Sequence, residues 1–382
     1  MGRVIIKNGH VFDGERYMGP KTVVIEGSQI SQEGEGDTGN NAGDDGSEVI
    51  DATGCTLLPG LIDCHVHIRD EDQLASCASF GVTTVCDMAG IPPRTFQLLR
   101  ASRGPTRWLG AGLPGFAEGS MHAWLFWMGG MGSRYAIHDA EEAACWVQDR
   151  VAQDEVDYLK VIADVPGHDQ AVLDRIQQEA ARHKKMTVAH ASHLAAFPRC
   201  LHAGFDVVTH VPLDRPLTED IVRRMAGQGM VAVPTLTMME GFSRSWMMRW
   251  VLRRNMDFAN SLRSVELMQE AGVPILAGTD SNNSGIATVP VGTSLHHELK
   301  LLVNAGLDPV QALRAATSLA AEHFALPDRG WVKPGMRADL VLVEGNPIED
   351  ISATQNIRKV WSGGQAVAPA KVERGSSICQ VM

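Results

Sequence analysis

His65 and His67 stand one residue apart at the end of an apolar run, Leu57-Leu58-Pro59-Gly60-Leu61-Ile62-Asp63-Cys64-His65-Val66-His67. Residues i and i+2 of a β-strand point to one face, so both imidazoles can aim at a single point. Four further groups recur at the ends of strand-like segments: Lys160 in Tyr158-Leu159-Lys160-Val161-Ile162, His190 after Thr187-Val188-Ala189, His210 after Val207-Val208-Thr209, and Asp280 in Gly278-Thr279-Asp280. Imidazole nitrogens with a carboxylate oxygen suit zinc or a similar divalent metal. A lysine is a poor ligand as an ammonium, but carbamylation by carbon dioxide would make it a bridging carboxylate. Each residue taken singly has a plain structural role as well. His190 and His210 can be core histidines, Asp280 a helix N-cap, and Lys160 half of an ion pair or a snorkelling side chain. Their joint placement at strand ends is what argues for metal chemistry.

The elements that position these residues follow a repeating order of apolar strand, loop and amphipathic helix from Leu61 to Leu326. Eight strands are predicted: Leu61 to His65, Thr83 to Asp87, Arg107 to Gly110, Tyr158 to Ile162, Met186 to Ala189, Asp206 to Thr209, Met230 to Val233 and Pro274 to Ala277. Helices are predicted at Asp169 to His183 and Asp308 to Ala320. That order fits a parallel (β/α)8 TIM barrel better than a doubly wound sheet, and active sites of such barrels lie past the C-terminal ends of the strands. Short strands occur at both chain ends, in Val4 to Ile6, His10 to Phe12, Thr22 to Ile25, Val49 to Asp51, Ala338 to Val343 and Lys359 to Ser362. Neither end could bury a core alone, so a composite β-domain from both is expected. The expected division is 1-56 with 327-375 as a small β-sandwich, 57-326 as the barrel, and 376-382 as a flexible tail.

With 44% apolar and 21% charged residues and a net charge of -11, the chain reads as a globular protein without a nucleic-acid surface. Seven cysteines without a C-x-x-C pair read as reduced thiols, which points to the cytoplasm. No apolar run reaches the length of a membrane span. The last four residues, Cys379-Gln380-Val381-Met382, fit the C-a-a-X pattern formally, but no polybasic stretch precedes them, and they are read as a disordered end.

The chain resembles the metal-dependent amidohydrolase superfamily over nearly its whole length. The resemblance is carried by Pro59 to His67, Leu159-Lys160-Val161, Ala189-His190-Ala191, Thr209-His210-Val211, Gly278-Thr279-Asp280 and the closing Lys333-Pro334-Gly335-Met336-Arg337-Ala338-Asp339-Leu340-Val341. The strand lysine, the step from His190 to His210 and Ala312-Leu313-Arg314-Ala315-Ala316-Thr317 most resemble the branch of amidohydrolase-type prolidases and ochratoxin-cleaving amidases. That resemblance implies two divalent metal ions, usually zinc. His65, His67 and Asp280 would hold the first, His190 and His210 the second, and carbamylated Lys160 would bridge them. It implies hydrolysis of an amide or peptide-like C-N bond by a metal-bridging hydroxide, with Asp280 as the catalytic acid and base. Val161 to His168 is shorter than the Gly-rich loop that relatives carry after the lysine.

Substrate contacts are expected from His122, Trp124, Trp127 and Met238, because the loops Ala117 to Tyr135 and Thr235 to Phe258 are unusually apolar. They imply a small apolar or aromatic substrate such as an N-acyl amino acid or dipeptide, a homo-oligomer interface, or both. Arg249, Arg253 and Arg254 read as a solvated helical face, as does His296-His297-Glu298. Three other readings stand beside this one: a mononuclear cyclic-amide hydrolase or deaminase of the imidazolone-hydrolase kind, a lyase or decarboxylase on the same scaffold, and a non-catalytic scaffold protein.

Overall fold

A computed structural model describes residues 2–31, 46–90, 93–128, 135–245, 256–283 and 288–370. The N-terminal segment forms β1 (Arg3–Phe12), β2 (Tyr17–Glu26), β3 (Gln29–Ile30), β4 (Glu48–Asp51) and β5 (Cys55–Pro59). Three parallel strands follow, β6 (Leu61–Val66), β7 (Val82–Asp87) and β8 (Arg107–Gly110), paired in that order. A second parallel sheet contains β9 (Leu159–Ile162), β10 (Thr187–His190), β11 (Val207–Thr209) and β12 (Val231–Val233), again as neighbours in sequence order. The chain ends with β13 (Leu340–Glu344), β14 (Ile357–Ser362) and β15 (Gln365–Val367). These last strands join the first five in one eight-stranded sheet, in which β13 pairs antiparallel with β5, and β5 and β4 run parallel to β1. Both ends of the chain therefore share one sheet, as the scattered terminal strands implied.

The parallel strands are buried along their whole length in β6, β7 and β9. Strands covered on both faces carry continuous rather than alternating apolar runs, which is why they were legible in the sequence. Tyr158, Val188, Val207 and Val231 form one apolar cluster with Phe324 and Leu326. By the two-residue period they share strand faces with Lys160, His190, Thr209 and Val233. This layer is the floor beneath the polar residues. Isolated parallel bridges, Gly115 to Val161, Ala232 to Ile275 and Val66 to Ser281, link the margins of the two sheets.

Three sequence expectations need correction. Pro274 to Ala277 lies between its expected neighbours, with Leu276 N–H donating to Ala232 O and Cys64 N–H to Ala277 O, but it is reduced to the single bridge at Ile275 because Ala277 N–H donates to Ala315 O. The helix expected at Asp308 to Ala320 is two, Pro309–Ala315 and Ser318–His323. The break is at Thr317, whose backbone leaves the helical region and whose hydroxyl donates back to Leu313 O at 2.6 Å. The first begins with a capping box between Asp308 and Gln311. The two apolar loops contain helices, Met121–Met128 and Leu236–Arg244. Among the described residues no helix is long and apolar enough to cross a membrane, and six cysteines are free. Arg249, Arg253, Arg254 and the Cys379 motif lie outside the described residues.

Candidate active site

His65 lies within β6 and His67 just beyond it, Lys160 lies in β9, His190 ends β10, and His210 directly follows β11. The parallel registers set His190 opposite Ile162 and Thr209, so the ends of β9, β10 and β11 stand at one level. The segment carrying Asp280 is tied to β6 by Cys64 N–H donating to Ala277 O at 2.9 Å and Asp280 N–H donating to His65 O at 2.8 Å.

The Asp280 carboxylate is the meeting point. Its Oδ1 lies 3.0 Å from Nε2 of His67 and 3.5 Å from Nε2 of His65, and its Oδ2 lies 3.9 Å from Nδ1 of His210. His65, His210 and Asp280 each offer a ligand atom within 4.8 Å of the others. The imidazoles continue outward as a row. The ring centroid of His210 is 4.9 Å from that of His65 and 4.2 Å from that of His190, and His122 stands edge-on to His190 at 4.3 Å. Lys160 is buried beside them and donates to Thr209 Oγ1.

Burial dominates the electrostatics. It holds His65 and His210 well below the ordinary imidazole value, with Lys160 and neighbouring histidines adding to the effect. His122 is pushed down to about 3 for the same reason. Burial also acts downward on His67, but the hydrogen bond and charge of Asp280 outweigh it and leave His67 raised. Lys160 is pushed down to about 7 by burial, against the pull of Asp280 and Asp164. Neutral imidazole is the form that ligates metal, and Nδ1 of His65 is buried with no hydrogen-bond partner among the described residues. The donor set of nitrogens and one carboxylate therefore fits a borderline-soft divalent ion.

Backbone strain collects at the same place. Among non-glycine residues, His210, Thr235 and Asp280 are buried with positive φ, at 73°, 52° and 59°. Such conformations persist where surrounding contacts over-determine them, and they cluster at functional sites.

Several supporting residues were not singled out in the sequence. Asp63 accepts from Thr279 N–H at 3.0 Å and Thr279 Oγ1 at 2.7 Å, and so ties β6 to the Asp280 segment. Asp87 accepts from Ile68 N–H at 2.9 Å and from Trp108 Nε1 at 3.1 Å, and so fixes the chain beyond His67. Asp164 accepts from Ser192 N–H at 2.8 Å and lies 3.1 Å from Nε2 of His190. An acid inside or directly after a buried apolar strand is the signal that could have found all three.

Of the expected substrate residues, His122 reaches the histidine row, Trp124 is 53% exposed, and Met238 is buried in the main apolar core. The side chain of Trp127 lies outside the described residues.

Residues 56–367 match the model of the amidohydrolase family. Ochratoxinase from Aspergillus niger is 28% identical over 199 residues, which are 50% of this chain and 39% of that protein. Adenine deaminase from Nitratidesulfovibrio vulgaris is 30% identical over 340 residues, covering 84% of this chain and 51% of that protein. The chain thus spans about half or less of the length of these relatives. Among solved structures, a Xaa-Pro dipeptidase with methionine bound in its active site superposes with a TM-score of 0.81 at 21% identity, over 96% of this chain and 99% of that one. The A. niger ochratoxinase structure gives 0.77 at 22% identity, over 97% of each. These structures share the fold.

Proposed function

Because this chain belongs to the amidohydrolase family, we propose that it is a metal-dependent hydrolase of an amide or peptide-like C–N bond in a small apolar or aromatic substrate. The observation that carries this reading is the convergence of His65, His67 and His210 on the single carboxylate of Asp280. His65, His67 and Asp280 would hold one divalent ion, zinc by preference, and His190 and His210 a second. Lys160, buried between them, would bridge the two once carbamylated, since an unmodified ammonium would set a positive charge against the ligand set. When bound, such ions supply a water acidified to near neutral pH and polarise the scissile carbonyl. Asp280 takes the proton from the attacking water and passes it to the leaving amine. His122, on the helix Met121–Met128, stands edge-on to His190, and with Trp124 of the same helix it would favour an apolar or aromatic group there.

The bridges at Gly115, Ile275 and Ser281 support a closed eight-stranded parallel barrel over residues 57–326, and the single sheet shared by the terminal strands supports a composite β-domain from 1–56 and 327–375, which would fold over as a sandwich. The free cysteines are in keeping with a reducing, cytoplasmic setting. The apolar helices at the mouth would also suit an interface between copies of the chain.

A second reading is a mononuclear deaminase. It is favoured by the adenine deaminase relatives, which align with most of this chain, and by the compactness of the His65, His210 and Asp280 group. Elemental mass spectrometry of protein purified without chelator, combined with turnover of N-acyl amino acids, dipeptides and adenine, separates the two. About two ions per chain with cleavage of an acyl or peptidyl substrate is expected. One ion with ammonia release from adenine would move the assignment to the deaminase, and a metal-free protein inert to added zinc would overturn both.

A further inference from the structure

Glu298, on the helix Thr293–Asn304, is a fully buried acid to which the proposed chemistry gives no role. Its Oε1 accepts from Leu236 N–H at 2.9 Å, and its Oε2 accepts from Thr237 N–H at 2.7 Å and from Thr237 Oγ1 at 2.8 Å. Leu236 and Thr237 open the helix Leu236–Arg244, whose first N–H groups have no partner within the helix. The residue before a helix ordinarily serves one of them with its own side chain. Thr235 does not, because its Oγ1 lies 2.7 Å from Nδ1 of His210.

Two features make this division of labour more than packing. Thr235 has φ 52° and ψ 46°, a left-handed conformation that a β-branched residue rarely takes. It therefore needs an external hold. A carboxylate at the positive end of the helix dipole supplies one. The same two helices are also pinned by His297 Nε2 at 2.8 Å from Glu240 Oε2.

We infer that Glu298 is a positioning residue, which takes over the cap of helix Leu236–Arg244 and so holds the Thr235 hydroxyl on His210 Nδ1. In the tautomer whose Nδ1–H donates to Thr235, Nε2 is the ring nitrogen left to ligate an ion, and that tautomer would be selected from a helix that carries none of the proposed ligands. Outer partners of this kind fix ring orientation and ligand basicity. The inference rests on His210 being a ligand, as proposed above.

The test is zinc affinity, read by competition with a chelating indicator on Glu298→Gln, Thr235→Ala, Thr235→Ser, the Glu298→Gln/Thr235→Ala double variant and His210→Ala, with thermal melts alongside. Glu298→Gln and Thr235→Ala are each expected to weaken one ion about ten- to a hundredfold. Thr235→Ser keeps the hydroxyl and is expected to bind as the parent does. The double variant is expected to be no weaker than the weaker single, because both changes break one relay. Additive losses, or a folded Glu298→Gln with parental affinity, would overturn the inference. If Glu298→Gln fails to fold, Thr235→Ala decides, and parental affinity in that variant overturns it equally. A His210→Ala protein that keeps every ion removes the ligand role and the relay with it. One that loses an ion while folded Glu298→Gln keeps both overturns the relay alone.

Discussion

Asp164 and His190 are joined by a contact of 3.1 Å between carboxylate Oδ2 and Nε2, and three other groups converge on the same carboxylate. Ser192 donates its N–H at 2.8 Å and its hydroxyl at 2.5 Å, and His193 Nδ1 lies 3.3 Å away. Burial favours the protonated acid, yet the bonds from His190 and His193 prevail and hold Asp164 well below the usual carboxylate range. With Nε2 engaged, Nδ1 would be the nitrogen of His190 open to the proposed ion. Asp164→Ala is therefore expected to weaken metal binding at least about tenfold while unfolding remains cooperative. Metal titration of the folded variant checks this, and a parental binding curve would exclude the orienting role.

Asp280 faces three imidazoles with one carboxylate, so the same oxygens are close to any ion and to any water activated there. Asp280→Asn keeps the shape and one acceptor but cannot take a proton. Turnover is expected to fall by about 10²- to 10⁴-fold, with metal largely retained. Steady-state kinetics with a metal assay on the same sample is the measurement, and a variant that kept more than a few per cent of activity would remove Asp280 from proton transfer.

Lys160 makes its hydrogen bond to Thr209 from within β9, on the strand face it shares with Tyr158. If it bridges two ions after carbamylation, Lys160→Ala loses one of them and leaves His65, His67 and Asp280 with the other. Metal content near half the parental value is expected, with partial recovery of the second ion when a short carboxylic acid is supplied in solution. Unchanged metal content would exclude the bridge.

How far these residues could be read from the sequence depended on the range of the forces that place them. His65, His67, Lys160, His190 and His210 announced themselves because buried parallel strands are continuous apolar runs, and a polar residue within or at the end of such a run is conspicuous. The helix Gln170–Arg182 matched its expected span to within a residue at each end, since its amphipathic period is local. Pro274 to Ala277 keeps hydrogen bonds to β12 and to Cys64 of β6, but its ladder is cut short because Ala277 N–H donates to Ala315 O, a partner that no local pattern reveals. Thr317 breaks a helix that periodicity carries straight through it. Glu298 looked like part of a solvated face, although its partners are Leu236 and Thr237, about sixty residues earlier in the chain. Asp164 and Thr235 were hidden for the same reason: their roles exist only once the strand ends are assembled.

His296, on the same helix as Glu298, offers a pH test away from the proposed metal ligands. Its Nε2 lies 3.0 Å from Phe80 O, its Nδ1 is buried without a hydrogen-bond partner among the described residues, and burial pushes it down to about 4, with Lys300 acting in the same direction. In the unfolded chain a histidine titrates near 6.5. Between these values the unfolded state takes up a proton that the folded state refuses, so stability is full above about pH 6.5 and falls as pH drops toward 4. The loss attributable to this residue is of order 3 kcal/mol. His296→Gln keeps a donor toward Phe80 O but does not titrate. Urea unfolding at a series of pH values is expected to show a shallower acid decline in the variant than in the parent, and parallel profiles would rule His296 out as a source.

Gly278, in the Asp280 segment, packs closely against β6 and β12. A Cβ there would collide with Val233 Cγ1 and would stand 2.9 Å from the backbone nitrogen of His65 and 3.0 Å from its Cβ. Two hydrogen bonds, Cys64 to Ala277 and Asp280 to His65, clamp the crossing on either side, so a shift of either chain moves a proposed ligand. Gly278→Ala is expected to cost about 1–3 kcal/mol through overpacking and to weaken metal binding together with stability. Gly227→Ala is the control, since that helical glycine has nothing within 4 Å of an added Cβ, and it is expected to gain about 0.4–1 kcal/mol from a less flexible unfolded chain. Melting temperature and zinc affinity falling together at Gly278, with neither falling at Gly227, would tie the ligand geometry to this crossing. A Gly278→Ala protein destabilised but with parental zinc affinity would mean that His65 and Asp280 hold their places independently of it.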